Sequence, residues 1–492
     1  MFKSDVNPLS PVVDQPTIGL IGMGSMGRMY AKYLSEAGWK KIVVCDLPEK
    51  FDALKESYVG VSGITVLRDG HLVSRTSDFI MYSVEAEFID SVVAQYGPST
   101  KYNAVVAGQT SVKAPEKAAF EKYLPEDVHI VSCHSLHGPT VSPLGQPLVL
   151  IKHRAPDWAL TLVENILRSF RSRYVYLSYE DHDIVTANTQ AVTHAAFLSM
   201  GTAWASSLSY PWEHGYYVGG IETVKVNIML RIYANLWHVY AGLAILNPHA
   251  RTQIDQYAKS TTELFKLMLA GEAGEARLRE RMHRARDAVF GDESGGKNRS
   301  PIFLSEDILD RFSLAKSPQP GGPNEMPNSP VSPTGPFRFS LFPPPTSSLA
   351  PDAQGTSPVN TPKANSHLAL LAMVDCWAHL SIQPLHHLDL AATPIFRMWI
   401  GVAEYLFRSP ARLDTAIHAA LYDTSHRSDD LEFVVAARGW SQCVSFGSFE
   451  LYRRRFEETK EFFKPRFEEA TKLGGAMIQA IMEDAKKAEV AA

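Results

Sequence analysis

Cysteine is scarce. The 492 residues contain four, at Cys45, Cys133, Cys376 and Cys443, and no two stand in a C-x-x-C spacing. That excludes a disulfide framework and a structural zinc site, and it fits a reducing compartment. Long apolar runs are missing too, so no membrane span is expected. There is no surplus of positive charge. The net charge is −5, which gives no electrostatic reason to bind nucleic acid or an anionic membrane. The opening residues, MFKSDVNPLSPVVDQP, hold no apolar signal core, so a cytoplasmic protein acting on a small molecule is the expectation. No H-E-x-x-H or similar ligand spacing occurs, and no metal is expected.

What is present is a set of apolar strand-like runs separated by helical patterns. TIGLIGM, KIVVCD, SDFIMYSV, NAVVAG and DVHIVSCHS read as buried strands of a parallel, doubly wound sheet. From Ile184 the periodicity turns helical. The expected organisation is a Rossmann-type dinucleotide-binding domain over 14–178, a first helical unit over 179–315, a disordered Pro/Ser-rich loop over 316–364 and a second helical unit over 365–492. The two helical units look alike. THAAFLSMGTAWA from Thr193 and SHLALLAMVDCWA from Ser366 share His, Ala, Leu, Met, Trp and a final Ala at the same offsets. The all-α part is therefore read as a duplicated helical unit. One chain then supplies both halves of what would otherwise be a dimer, and either a monomer or a homodimer is compatible with that.

The chemistry starts at GMGSMG. Gly22, Gly24 and Gly27 follow a strand and open a helix, in the G-x-G-x-x-G pattern that turns tightly, admits a pyrophosphate and lets helix pack on strand. Met23, Ser25 and Met26 complete the cofactor loop. Asp46 ends the second strand, where an acid bonds an adenosine ribose hydroxyl, and on this ground NAD is favoured over NADP. Ser111, in GQTSVKAPE, and His134, in VSCHSLHGP, follow adjacent strands at their carboxyl ends. They are the candidate catalytic pair beside a hydride acceptor; Ser111 is alternatively a helix N-cap, and His137 a loop residue. His182, Gln190 and His194 have spacings that bring them to roughly one helical face, a candidate cleft wall.

GMGSMG, GQTSVK, CHSLHGP and HD…Q…TH in this order resemble prephenate dehydrogenases, closest to the fungal form. The resemblance extends through VTHAAFLSMG, RIYANLWHVYAGLAI, NSHLALLAMVD, TPIFRMWIGVAEYLF and DDLEFVVAARGW. It implies oxidative decarboxylation of prephenate to 4-hydroxyphenylpyruvate, a tyrosine precursor, with hydride transfer to NADP. It implies that His134 takes the ring-hydroxyl proton, that Ser111 orients that hydroxyl, and that His182, Gln190 and His194 line the substrate pocket. It also implies an arginine on a substrate carboxylate. Arg231 is expected to hold it, by its place in the chain, although Arg397, in TPIFR, better matches the motif around the family's arginine. For NADP, Lys50 or Arg28 would receive the 2′-phosphate, and the loop after Asp46 would turn its carboxylate aside. Arogenate dehydrogenase, a β-hydroxyacid dehydrogenase and a non-catalytic nucleotide sensor are the competing readings.

Overall fold

The apolar runs between Thr17 and His134 become strands because they can be covered on both faces. A computed structural model describes residues 4–139, 141–218, 220–291, 365–391 and 393–477. The first part alternates strand and helix: β1 (Ile18–Ile21), α1 (Ser25–Ala37), β2 (Ile42–Cys45), α2 (Phe51–Ser57), β3 (Ile64–Val66), α3 (Gly70–Thr76), β4 (Phe79–Tyr82), α4 (Ile89–Tyr96), β5 (Val105–Gly108), α5 (Ala114–Tyr123), β6 (His129–His134), β7 (Pro147–Lys152), α6 (Asp157–Leu167) and β8 (Arg173–Tyr176). The sheet order is β3-β2-β1-β4-β5-β6-β7-β8. Its first six strands follow the Rossmann order, with the switch point between β1 and β4. Successive residues of β6 face opposite cores: Ile130 packs in one apolar cluster, Val131 and Cys133 in the other.

The sheet is not wholly parallel, although the alternation of strands and helices suggests that it should be. β7 runs antiparallel to β6, with His134 opposite Val149, and β8 is again parallel to β7. The reason lies in the connection. Among the described residues no helix separates β6 from β7, and a parallel crossover needs a long connection of that kind.

From Tyr179 onward the described residues are helical: α7 (Tyr179–Thr186), a π turn (Ala187–Ala191), α8 (Val192–Ser206), α9 (Gly220–Ala234), α10 (His238–Leu246), α11 (Ala250–Leu269), α12 (Glu272–Phe290), α13 (Leu368–His379), α14 (Pro384–Ala391), α15 (Pro394–Arg408), α16 (Pro410–Tyr422), α17 (Arg427–Phe446) and α18 (Phe449–Phe463). From the end of the π turn onward they share one large apolar core, whereas Tyr179 and Val185 of α7 pack in the core of the sheet. The packing is reciprocal. α8 lies on α17 and α13 on α11; α12 packs on α13 and α18 on α8; α12 meets α15 and α16 where α18 meets α9 and α10. This is the pattern of two five-helix units, α8 to α12 and α13 with α15 to α18, facing each other across a pseudo-two-fold axis. The Pro/Ser-rich stretch lies outside the described residues. No described helix is long and apolar enough to cross a membrane.

Candidate active site

The glycine loop is built as its spacing demands. Gly22 has φ +97, a conformation open to glycine, and a side chain there would run into the Ser83 carbonyl. A Cβ on Gly27 would strike the Gly22 carbonyl, whereas one on Gly24 would meet nothing within 4 Å. Gly22 and Gly27 thus shape the turn, and Gly24 leaves open the space in front of the N-terminus of α1, where Ser25 begins the helix. The α1 N-terminus carries no side-chain cap, so its N–H groups suit a pyrophosphate. Gly24→Val should therefore abolish dinucleotide binding with little change in melting temperature. Gly27→Val should lower the melting temperature as well. Calorimetric melting and a dinucleotide titration of the two variants separate these roles, and equal destabilisation would contradict them.

At the end of β2, Asp46 is already engaged. Its Oδ2 accepts the Met23 N–H at 3.1 Å and its Oδ1 the Leu47 N–H at 2.8 Å. Lys50 Nζ stands 3.5 Å from Oδ1. Arg28 donates through Nε to the Met23 carbonyl at 3.0 Å and through one terminal nitrogen to Ser57 Oγ at 3.3 Å. The carboxylate is turned into the glycine loop, with two cations beside that loop.

The other candidates gather at the carboxyl end of the sheet. β5 ends at Gly108 and β6 at His134, and the two strands are parallel neighbours, so Ser111 and His134 follow the same rim. Ser111 does not cap α5; Lys113 holds the N-cap position, without a cap from its own side chain. The caps come from Asp183, 70 residues away, whose Oδ1 accepts the Lys113 N–H and whose Oδ2 accepts the Ala114 N–H, both at 2.7 Å. The Lys113 side chain is wholly buried. Its Nζ donates to Glu116 Oε1 at 3.0 Å and Oε2 at 2.9 Å, to Gly108 O at 3.0 Å and to Cys133 O at 2.9 Å. This ion pair ties the ends of β5 and β6 to the first turn of α5.

His134 is 9% exposed. Its Nδ1 lies 2.8 Å from His182 Nε2, and His182 Nδ1 lies 2.9 Å from Asp183 Oδ1. Burial first, then His182, Lys113 and His137, hold the His134 pKa well below the ordinary imidazole value. Burial and Lys113 do the same for His182. Both rings are neutral near pH 7. His182 is only 1% exposed, and the structure places it against His134. His137 bonds the Gly138 carbonyl at 3.0 Å.

Gln190 and His194 follow His182 in the chain beyond α7. The π turn at Ala187–Ala191 widens the helix between them and shifts its register, a feature frequent at functional sites. Buried polar atoms almost always find a partner. Here Gln190 Nε2, Thr193 Oγ1 and His194 Nδ1 have none among the described residues, and neither does His387 Nδ1. The first three lie on the π turn and the first turn of α8. His387, on α14, meets the same π turn through Asn188 at 3.2 Å. Burial pushes the His194 pKa down to about 3, and its ring sits edge-on to Tyr240 at 4.7 Å. Arg231 is in the last turn of α9, and its charge reaches Tyr240. Arg397 is in the first turn of α15, its N–H bonded to the Thr393 carbonyl at 2.9 Å.

Asp183, Lys113 and Glu116 build the frame around His134 and the Ser111 loop, and sequence reasoning misses them. Asp183 reads in sequence only as part of an acidic helix start, and the Lys113–Glu116 spacing of three is the one available sign of the buried pair.

Known proteins share this organisation. A family model described as "TYR1-like, 6-phosphogluconate dehydrogenase C-terminal domain" matches residues 191–333 and 349–483. One described as "NADP oxidoreductase coenzyme F420-dependent" matches residues 17–107. A Schizosaccharomyces pombe protein named a probable prephenate dehydrogenase (NADP+) is 50% identical over 470 residues, covering 96% of this chain and 98% of its own. The Saccharomyces cerevisiae prephenate dehydrogenase (NADP+) is 46% identical over 469 residues, covering 94% of each. The crystal structure of Aquifex aeolicus prephenate dehydrogenase with hydroxyphenyl propionate and NAD+ is 22% identical, with a TM-score of 0.42, over 54% of this chain and 93% of that one. On the identity and coverage of the two yeast relatives, this chain belongs to the prephenate dehydrogenase family.

Proposed function

We propose that the chain oxidises prephenate to 4-hydroxyphenylpyruvate and CO2 with NADP, the step that leads toward tyrosine. The observation that carries this reading is a buried, neutral His134 at the carboxyl end of β6, on the sheet rim that also holds the switch point where a dinucleotide binds. NADP, when bound, supplies the hydride acceptor. The residues do the rest. His134 takes the proton of the ring hydroxyl as hydride leaves the hydroxyl-bearing carbon. The electrons of the breaking bond to the ring carboxylate enter the ring, CO2 departs, and the proton returns to the phenolic oxygen. Aromatisation drives the reaction, so the protein mainly positions and polarises. Ser111, on the neighbouring strand end, orients the hydroxyl. Gln190 and His194 present their unpartnered atoms to the substrate.

The reciprocal packing bears on the arginine. The start of α9 meets the start of α13: Lys225 Nζ is 3.3 Å and Glu222 Oε1 3.0 Å from His367 Nδ1. His367 is the repeat partner of His194. The pseudo-two-fold then brings the first turn of α15, with Arg397, to the start of α8, with His194. Arg397 is accordingly the better candidate for the substrate carboxylate, and Arg231, at the far end of α9, the weaker one. The second helical unit completes the site of the first, and one chain suffices for a working monomer.

The cofactor choice follows from Asp46. Its carboxylate is held by the Met23 and Leu47 N–H groups, and the two cations beside it, Lys50 on Asp46 and Arg28 on Met23 O and Ser57, are the groups that would turn to a 2′-phosphate. Lys50→Ala and Arg28→Ala should each weaken NADP about tenfold, the worth of one charge-assisted hydrogen bond, while sparing NAD. Titration with both dinucleotides tests this. An equal loss for the two would remove these residues from 2′-phosphate recognition.

A further inference from the structure

We propose that Asp183 is a positioning residue that sets the geometry of both groups at the reacting hydroxyl, the imidazole of His134 and the loop of Ser111. The inference rests on the reading of His134 as the base. It follows from counting donors and acceptors along one buried chain.

Asp183 is 2% exposed. Its Oδ1 accepts the Lys113 N–H at 2.7 Å and its Oδ2 the Ala114 N–H at 2.7 Å. Both oxygens therefore face backbone donors, and the group acts as an ionised acceptor. Its burial works against ionisation, and these two N–H groups and the Lys113 charge work for it. The other titratable group felt by Asp183 is His249, which follows Asn247 in the α10–α11 link. Asn247 Nδ2 donates to the Asp183 carbonyl at 2.9 Å, so α7 is pinned from that side too.

An acceptor at Oδ1 dictates the tautomer of His182. Its Nδ1, at 2.9 Å, carries the hydrogen, and its Nε2 is then a bare acceptor, because the ring is neutral. His134 Nδ1, 2.8 Å from that Nε2, must be the donor. His134 therefore carries its hydrogen on Nδ1 and keeps the Nε2 lone pair, the form that accepts a proton from a substrate hydroxyl. The same carboxylate holds the N–H groups of Lys113 and Ala114, two and three residues past Ser111. One side chain fixes both the proton acceptor and the loop that orients the hydroxyl.

The decisive variant is Asp183→Asn. An amide nitrogen at the Oδ1 position would donate to His182 and reverse both tautomers, placing the His134 hydrogen on Nε2. At the Oδ2 position it would oppose the Ala114 N–H and release the loop. A reversed tautomer of this kind lowers kcat by about 10²- to 10⁴-fold. NADP affinity, remote from α7, should stay unchanged. The readout that a merely structural role would not move is the nitrogen-15 shift pair of the His134 ring in protein labelled at histidine, with His134→Asn identifying the signal. Near neutral pH and without substrate, the wild-type ring should show a protonated Nδ1 and a bare Nε2. His182→Gln, which breaks the chain but spares the hold of Asp183 on the loop, should also lower kcat. A wild-type spectrum with the hydrogen on Nε2 overturns the proposal. So does a folded Asp183→Asn protein whose kcat falls by less than about threefold. If that variant does not fold, the wild-type spectrum and His182→Gln decide. The spectrum requires no substrate, so it decides the tautomer even if the choice of substrate is wrong.

Discussion

His134→Asn turns over prephenate about 10²- to 10⁴-fold more slowly than the wild type, the usual loss on removing a general base. The dinucleotide affinity is unchanged, because the glycine loop over 22–27 does not include β6. Asn keeps the fold: its amide can still donate to His182 Nε2. The pH profile adds a sign. Burial lowers the His134 pKa, so the base is already neutral across the range in which a free imidazole titrates. As pH falls through about 6.5, the ordinary histidine value, kcat/KM should hold and then drop only at lower pH. A profile that falls at the ordinary value would mean that His134 titrates like an exposed ring and is not the buried base described above. A loss of dinucleotide binding equal to the loss of rate would make His134 structural.

Arg397→Ala raises the KM for prephenate by about 10²-fold. Truncating one partner of a desolvated charge pair costs about 2–5 kcal/mol, and a bidentate fork on a carboxylate belongs at the upper part of what single contacts supply. Arg231→Ala, nine residues past Glu222 on α9, should change KM by less than about threefold. Steady-state kinetics of the two variants side by side make the comparison. A large effect at Arg231 with none at Arg397 would return the carboxylate to the first helical unit and break the pseudo-two-fold assignment.

The strands β1, β2, β4, β5 and β6 are legible in the sequence because each is an apolar run buried on both faces. β7 is harder to place, although PLVLIK is equally apolar, because it falls outside the helix-separated pattern. Its direction is readable in principle from the helix-free link between His134 and Pro147. The glycine loop, Ser111 and His134 stand out because motif and strand end coincide. The π turn at Ala187–Ala191 leaves no mark in the apolar period, so the register between His182, Gln190 and His194 is not fixed by their spacing alone. Asp183 is hidden for a different reason. Its partners, the N–H groups of Lys113 and Ala114, lie 70 and 69 residues away, and no local pattern reports a contact of that range. The same holds for Lys113, a lysine with no exposed surface that reads in sequence as an ordinary solvated charge.

The chemistry comes down to one reaction at one rim of the sheet. The most direct measurement mixes the purified chain with prephenate and follows reduced nicotinamide by absorbance, with NADP and separately with NAD. Turnover with NADP, with release of CO2 and 4-hydroxyphenylpyruvate, is the expected result. No turnover of prephenate with either dinucleotide would contradict it, and activity on arogenate in its place would keep the site and move the substrate.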